Sequence, residues 1–267
     1  MPLLLNTEVD NLVKSKIRGF VARAGGTVDQ LIDYSLCRVE DINIPDGGFG
    51  AILKNEPHQL RRHSFPLIKR YFKQELKFLV HGSRIPRDRK TIVLDMHNAC
   101  NHNELRGKYD CSISSNMLEH SPNPISLLLA FHFITKENGY QFHAIPHYAH
   151  TYDRYRNPTS LEHFIEDYEN DIDTNDTTHI EDYRQSAVEK DGWQRQFHQK
   201  YPLKYPFIHF HVFDEHNVKA LLEYMFQDVV NDIYKNDRFS DNVAIFRNSL
   251  RPEFVEKYRR RLEGAHY

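Results

Sequence analysis

One stretch of the chain, YDCSISSNMLEHSPNP from Tyr109 to Pro124, constrains the fold more than any other. Its first half predicts a short buried strand, Cys111 to Ser115, that ends in small polar residues. A helix is predicted to begin at or soon after Pro122-Asn123-Pro124 and to continue through ISLLLAFHFI. A strand that ends in polar residues and is followed by a helix places ligand groups at the carboxyl edge of an α/β sheet.

Length and composition indicate one globular domain. With 267 residues, of which 40% are hydrophobic and 27% charged, the chain is long enough for a single large α/β core. The formal charge of −2 argues against a nucleic-acid partner, because no net positive field would attract phosphates. The 3 cysteines lie far apart without metal-site spacing, so we expect neither disulfides nor a thiolate zinc site, and a reducing, cytoplasmic location.

Signals for export and membrane insertion are not evident in the sequence. The start, MPLLLNTEVDNLV, has too short an apolar run for a signal peptide. The longest apolar run, Ile125 to Ile134, contains His132 and is far below the length that spans a membrane. We therefore expect a soluble protein without a membrane span.

Alternating strand and helix patterns predict a mostly parallel α/β sheet with helices on both faces. The first apolar period, over residues 8–24, predicts a helix within an N-terminal helical segment of about residues 1–35. Residues 150–206 are strongly polar and are predicted to be a helical insertion in a single domain, 1–267. Further strands are predicted at 36–44, 77–80, 91–94, 140–145, 207–213 and 242–247, and further helices at 58–76, 214–229 and 252–262.

The opening motif resembles the segment that follows strand 4 in class I S-adenosylmethionine (SAM) dependent methyltransferases, an acid-Val-Ile-x-Ser-Asn-Val-Leu-Glu-His pattern. The resemblance implies a Rossmann-like fold, SAM as cofactor and methyl transfer as the reaction. It also implies that Ser114, Ser115 and Asn116 lie beneath the bound cofactor.

A second part of the resemblance is Asp95, at the end of the predicted strand IVLDM. The resemblance implies that this acid or its neighbours contact the adenine amino group. A carboxylate accepts from an exocyclic amino group, and a backbone amide such as that of Met96 donates to a ring nitrogen. The alternative is that Asp95 only caps the turn that follows it.

Downstream segments extend the resemblance over about residues 90–250. GYQFHAIPHYAHTYDRYRNPTSLEHFIEDY and HFHVFDEHNVKALLEYM are similar to a subgroup found among sugar- and polysaccharide-modifying enzymes. The resemblance implies transfer to an oxygen or nitrogen of a small metabolite or a nucleotide- or lipid-linked sugar.

The loop from Tyr148 to Arg156 is rich in aromatic and cationic side chains. Tyr152, Arg154 and Arg156 predict a rim that stacks on a sugar or base, or clamps a phosphate. Equally, tyrosines and arginines are common where a loop packs on a second subunit, as in a homodimer.

Histidines are dense in the second half of the chain and supply candidate bases. His147 and His150 follow the predicted strand that closes at Pro146, and either could remove a proton from an acceptor hydroxyl. His120, in its Leu-Glu-His context, is the third candidate.

Two more histidines, His209 and His211, lie two apart on a predicted strand, so both side chains would point to one face and contact substrate. A His pair with a carboxylate also chelates zinc or iron, which leaves open a His- or metal-dependent enzyme on the same fold. No spacing typical of metal ligands accompanies the pair, and the sequence predicts no metal site.

Two parts of a SAM site are atypical in this sequence. The resemblance implies a glycine-rich turn after strand 1, and its nearest candidate is Gly47-Gly48-Phe49-Gly50, which assigns Gly48 and Gly50 to the cofactor. It also implies a ribose-binding acid after strand 2, but His81-Gly82-Ser83 follows the predicted strand FLV. A methyltransferase-like protein that has lost SAM and acts as a binding or partner module is therefore a further hypothesis.

Overall fold

Seven strands form one sheet in the computed structural model, which describes residues 8–25, 32, 35–43, 90–235 and 240–264. The strands are β1 (Gly19–Gly25), β2 (Cys37–Asn43), β3 (Lys90–Val93), β4 (Tyr109–Ser115), β5 (Thr135–Pro146), β6 (Val230–Lys235) and β7 (Ser240–Arg247). Their order is β3-β2-β1-β4-β5-β7-β6. All neighbours from β3 to β5 are parallel, and β7 is antiparallel to both β5 and β6. The prediction of a Rossmann-like, mostly parallel α/β sheet is confirmed.

Helices cover both faces of this sheet. The helices are α1 (Glu8–Lys16), α2 (Pro124–Ile134), α3 (Leu161–Glu169), α4 (Ile180–Tyr183), α5 (Gly192–His198), α6 (Glu215–Met225) and α7 (Pro252–Gly264). On one face α1 buries Val9 and Val13 against strand residues such as Ile113. On the other face α2 is buried almost all round and joins α3, α6 and α7 in the larger core.

The start of α2 follows the sequence closely. The Asn123 side chain accepts a hydrogen bond from the backbone N–H of Ser126, and Pro124 occupies the first turn, where its missing N–H costs nothing. The predicted strand and helix of the opening motif are therefore confirmed.

The predicted helix over 8–24 is wrong in its second half. The helix ends at Lys16, and residues 19–25 form β1 in the middle of the sheet. A strand covered on both faces is apolar at consecutive positions, as at Val21 and Ala22, so its pattern mimics a continuing helical period. Pairing with β2 and β4 decides the conformation.

Because residues 19–25 form β1, the first strand that the sequence pattern predicts is the second strand of the structure. The predicted strand 36–44 is confirmed as β2, and β3 pairs with β2. The predicted strand 77–80 and helix 58–76 lie outside the described residues. The predicted strand at 207–213 is wrong, because this segment is irregular and bonds to loops, for instance from the Phe210 N–H to the Glu119 carbonyl at 2.7 Å.

The polar stretch 150–206 contains α3, α4 and α5 and packs partly through its own small core around Tyr183 and Phe210. In the described part of the chain, no helix combines the length and apolarity that crossing a membrane requires.

Candidate functional site

The sheet reverses its winding direction between β1 and β4. From β1 the chain adds β2 and β3 on one side, and β4 and β5 then continue on the other side. Ligands of open α/β sheets bind outside the carboxyl ends of the strands at such a switch point. The switch point here lies between Gly25, the last residue of β1, and Ser115, the last residue of β4.

Gly25 has a backbone that only glycine fits at this place. Its φ is +81°, in the left-handed region that side chains disfavour. A Cβ atom at this position would lie 2.2 Å from the carbonyl oxygen of Ser115 and 2.6 Å from Cγ of Met117. In the sequence Gly26 follows directly. The glycine turn at the end of the first strand is therefore at Gly25.

Because the pattern of residues 8–24 predicts one helix, the sequence does not reveal a strand that ends at Gly25. Gly48 and Gly50 lie outside the described residues and follow β2 rather than β1. The residues predicted to follow strand 2, His81-Gly82-Ser83, also lie outside the described residues. The carboxyl end of β2 is instead Asn43, which is exposed.

Asp95 follows β3 and caps the turn that begins at Met96. Its Oδ1 accepts from the backbone N–H of His97 at 3.1 Å, pairs with Nδ1 of His97 at 2.9 Å, and accepts from the Tyr205 hydroxyl at 3.1 Å. Burial would raise the pKa of Asp95, but these bonds outweigh it and lower the pKa below its usual value. The Met96 side chain is buried in the core. Asp95 is thus a cap, and its Oδ2 has no bonded partner within the described residues.

Ser114 does not face the edge of the sheet. Its hydroxyl is fully buried and lies 2.6 Å from Nδ1 of His143, whose Nε2 lies 3.0 Å from the Gln141 side-chain oxygen. Burial lowers the pKa of His143 to about 3. This network belongs to the core, which corrects the expectation that Ser114 lies beneath a ligand.

Ser115 and Asn116 do lie at the edge, beside Gly25. The Ser115 hydroxyl donates to Oδ1 of Asn116 at 2.9 Å, and the Asn116 backbone N–H donates to the Ala144 carbonyl at 3.0 Å. Asn116 has a φ of +54° and is exposed. The end of β4 therefore presents polar groups from a sharply turned backbone.

Four side chains just beyond the end of β4 form what we call the His120 cluster: Glu119, His120, Asp153 and His209. The His120 Nδ1 donates to the Ile208 carbonyl at 2.8 Å, which leaves its Nε2 as an acceptor 3.8 Å from Oε1 of Glu119. The His209 Nδ1 lies 2.5 Å from Oδ2 of Asp153, and its ring meets that of His120 edge-on at 4.6 Å.

Glu119 is the unusual member of the His120 cluster. It is 1% exposed, and neither carboxylate oxygen has a hydrogen-bond partner among the described residues. Burial raises the pKa of Glu119 to about 7 and lowers the pKa of His120 to about 3. At neutral pH the site thus combines an imidazole lone pair with a carboxyl group that is close to its own titration point.

The other two predicted bases lie apart from this cluster. The His147 Nδ1 accepts from the Ala149 N–H at 3.2 Å, and its Nε2 pairs with Oε2 of Glu215 at 3.0 Å, so both ring nitrogens are used. His150 is exposed, and its ring lies 6.1 Å from that of His147. Of the three candidates, only His120 directs an unbonded nitrogen toward a carboxylate.

The predicted rim is divided between surface and interior. Arg156 is buried, and its guanidinium bonds to Asp153, to Asp182 and to the carbonyls of His209 and Phe210, at 2.8–3.0 Å. It holds the loop together and does not reach the surface, which corrects its assignment to the rim.

The outer part of the rim is aromatic. Arg154 is exposed and pairs with Asp191 at 3.0 Å. Tyr152 is half-buried, with its ring 4.5 Å from that of His209 and stacked at 6.5 Å on the exposed Trp193. These rings form a wall next to the His120 cluster.

His209 and His211 serve different clusters, contrary to the expectation of one shared face. His211 is fully buried and joins His163, Asp167 and His179, whose ligand atoms all lie within 4.8 Å of one another. Glu119, His120 and His209 satisfy the same distance limit, so both groups could hold a cation. In the sequence, the group around His211 is indicated only by His163 and Asp167, which lie four residues apart on α3. Its other two members come from distant segments.

Comparison with known proteins finds likeness in structure alone. No family model and no curated protein matches the chain. The CurJ carbon methyltransferase is 12% identical with a TM-score of 0.41, covering 87% of this chain and 49% of that one. A putative methyltransferase from Bacillus halodurans C-125 is 9% identical with a TM-score of 0.44, covering 91% and 99%. The trans-methyltransferase CalH, solved with SAH, is 12% identical with a TM-score of 0.41, covering 90% and 54%.

The chain spans about half the length of the CurJ and CalH structures. With identities this low, function has to be argued from the site itself.

Proposed function

We propose that this chain is a SAM-dependent methyltransferase that acts on an oxygen or nitrogen of a small molecule. The observation that carries the proposal is the left-handed Gly25 pressed against the end of β4 at the switch point. A cofactor that lies across this edge needs bare backbone there, because a side chain would fill its space. Asp95, at the end of β3, supplies a carboxylate two strands away for the adenine amino group.

The cofactor contacts in this proposal come from the carboxyl edge of the sheet. They are Gly25, Asp95, the Met96 backbone, Ser115 and Asn116. Ser114 is left out because its hydroxyl is committed to His143. Gly48 and Gly50 stay sequence predictions.

His120 is the proposed general base. When bound, SAM would supply the methyl group and be left as S-adenosylhomocysteine, and Nε2 of His120 would take the proton of the acceptor hydroxyl. Burial disfavours a proton on Nε2 of His120, and the Glu119 carboxyl 3.8 Å away is the group placed to stabilise that proton when the carboxyl is ionised. His147 and His150 directly follow the carboxyl end of β5 and stay candidates for this role.

The acceptor in this proposal is a sugar, free or linked to a nucleotide or lipid. Its support is the wall of Tyr152 and Trp193, since flat aromatic rings stack on the apolar faces of sugar rings. Arg154 at the surface could meet a linked phosphate. A cytoplasmic location and a homodimer stay predictions.

The test of cofactor use is calorimetric titration with S-adenosylhomocysteine. Asp95→Asn removes the charge but keeps an oxygen that can cap the turn, so the fold is retained. We expect wild type to bind, Asp95→Asn to bind at least about tenfold more weakly, and the control Glu104→Gln, on a neighbouring exposed turn, to match wild type.

Two outcomes would contradict the proposal. If folded wild type releases no binding heat at any cofactor concentration, the chain is the methyltransferase-like binding module. If Asp95→Asn binds as tightly as wild type, the adenine site is not at β3.

A further inference from the structure

Four side chains, which we call the His211 cluster, converge on one point beside the His120 cluster: His163, Asp167, His179 and His211. We infer that the His211 cluster is a binding site for one divalent transition-metal ion, with zinc the best fit, and that the ion fastens the 150–206 segment to the end of β4. This inference does not depend on methyl transfer, and it departs from the sequence prediction of no metal site.

Distances within the cluster suit a four-coordinate ion. Oδ2 of Asp167 lies 2.8, 3.5 and 3.6 Å from the Nε2 atoms of His211, His179 and His163, and the last two nitrogens are 3.0 Å apart. Zinc bonds of about 2.0–2.1 Å in a tetrahedron place neighbouring ligand atoms roughly 3.3 Å apart. The observed separations bracket that value.

The outer hydrogen bonds fix the direction of the nitrogen lone pairs. The His211 Nδ1 lies 2.9 Å from the Ser121 carbonyl, which can only accept, so this nitrogen carries the proton. The His179 Nδ1 lies 2.7 Å from Oδ2 of Asp176, a second acceptor. In its neutral form each ring therefore turns an Nε2 lone pair inward, and a carboxylate bonded to the far nitrogen is the usual support of a metal-bound histidine.

Without a cation, the inward atoms of a neutral His211 and of the Asp167 carboxylate oppose each other. The His211 lone pair faces the carboxylate at 2.8 Å, while the Nε2 atoms of His179 and His163 lie 3.0 Å apart and need one proton between them. One divalent ion accepts a lone pair from all four side chains. Its two positive charges also balance the carboxylates of Asp167 and Asp176.

Burial and donor type favour a structural zinc site. Asp167, His179 and His211 are at most 7% exposed, while His163 is 43% exposed at its side chain and leaves an entry path. Four protein ligands leave no open position for a substrate, and imidazole with carboxylate suits zinc better than magnesium or calcium.

The ligands come from three segments that are separate in the sequence and meet only in the folded chain. His163 and Asp167 belong to α3, His179 precedes α4, and His211 belongs to the irregular segment that bonds back to Ser121 after β4. An ion at this point cross-links the insertion to the switch-point edge.

The test measures metal directly on the purified full chain. Protein stripped with a chelator is given Zn²⁺, dialysed, and analysed for metal content and thermal midpoint. We expect about one zinc per chain and a rise in midpoint of about 5 °C or more. Co²⁺ in place of zinc should give the visible absorption of a tetrahedral site.

Matched variants locate the ion. His163→Gln changes the most exposed ligand and leaves the core intact, and His211→Gln changes the most buried one. We expect each to lose at least about tenfold in zinc affinity, whereas His120→Gln and the exposed His216→Gln keep one zinc per chain.

Two results would overturn the inference. One is wild-type protein that is folded by circular dichroism yet retains no zinc after dialysis. The other is full zinc content in folded His163→Gln, together with its loss in His120→Gln, which would place the ion in the His120 cluster.

Discussion

Gly25 pairs in register with Ser115, and a methyl group on Gly25 would lie 2.2 Å from the Ser115 carbonyl oxygen. The two strand ends are thus in contact at the switch point, and the last residue of β1 can only be glycine. The same contact brings the end of β1 next to the polar end of β4.

Substitution Gly25→Ala should destabilise the protein more than its matched control, Gly107→Ala. Gly107 also has a positive φ, +55°, but a Cβ there meets no atom within 4 Å. The control should cost about 1–2 kcal/mol of unfolding free energy, from backbone strain alone. Gly25→Ala adds a clash with backbone and should cost at least about 1 kcal/mol more. Urea unfolding of both variants measures the difference, and equal losses would contradict the close contact.

Substitution of Arg156 should lower the unfolding free energy much more than substitution of Arg154, although the two residues lie two positions apart. Arg156→Met leaves the Asp153 carboxylate buried without its guanidinium partner and should cost about 3–5 kcal/mol of unfolding free energy. Arg154→Met removes an exposed ion pair and should cost less than about 1 kcal/mol. Denaturant midpoints test this order. Similar small losses in both variants would mean that Arg156 does not hold the loop.

His143 should make the fold less stable in acid. Burial lowers its pKa to about 3, so between pH 6.5 and 3 the unfolded chain binds a proton that the folded chain does not. The contribution of neutral His143 to the unfolding free energy is therefore complete above pH 6.5 and falls by about 1.4 kcal/mol for each pH unit below it. Urea midpoints of His143→Gln from pH 7.5 to 4.5 should fall less steeply than those of wild type, while the exposed control His216→Gln should follow wild type.

Glu119 should make the fold less stable as the pH rises, which is the opposite of the effect of His143. Burial raises its pKa to about 7 from its ordinary value of 4.5, so between these values the folded chain keeps a proton that the unfolded chain loses. Its contribution to stability is therefore greatest below pH 4.5 and declines as the pH rises to 7.

Glu119→Gln removes this decline. The variant should be more stable than wild type at pH 8, by on the order of 2 kcal/mol, and should lose that advantage near pH 5. The exposed control Glu162→Gln should show no such crossover. A constant difference between Glu119→Gln and wild type at all pH values would mean that the buried carboxyl does not titrate.

Local signals in the sequence were enough for several elements. The buried strand β4, the Asn123 cap and Pro124 define the strand-turn-helix unit within a few residues, so the unit could be predicted. The strand β1 could not, because its seven residues, which are apolar or small except for Arg23, fit a helix or a central strand equally well. A helix over residues 8–24 leaves no strand before Gly25, so the pattern assigns the first glycine turn to the segment after β2.

The two side-chain clusters could not be predicted from the sequence, because their members meet only in the folded chain. His120 could be singled out by its place in the opening motif, but its partner Glu119 becomes unusual only through complete burial. His209 and His211 are separated by one residue and were expected to share a face, yet an irregular backbone sends them to different clusters.

By itself, the sequence determined the α/β class, the strand and helix of YDCSISSNMLEHSPNP and the position of Asp95 after a strand, because each depends on neighbours along the chain. Only the tertiary structure decided that Gly25 lies against Ser115 and that His163, His179 and His211 meet around Asp167. The reason is physical: strand pairing and side-chain convergence depend on contacts between segments far apart in the chain, and local patterns do not record which segments meet.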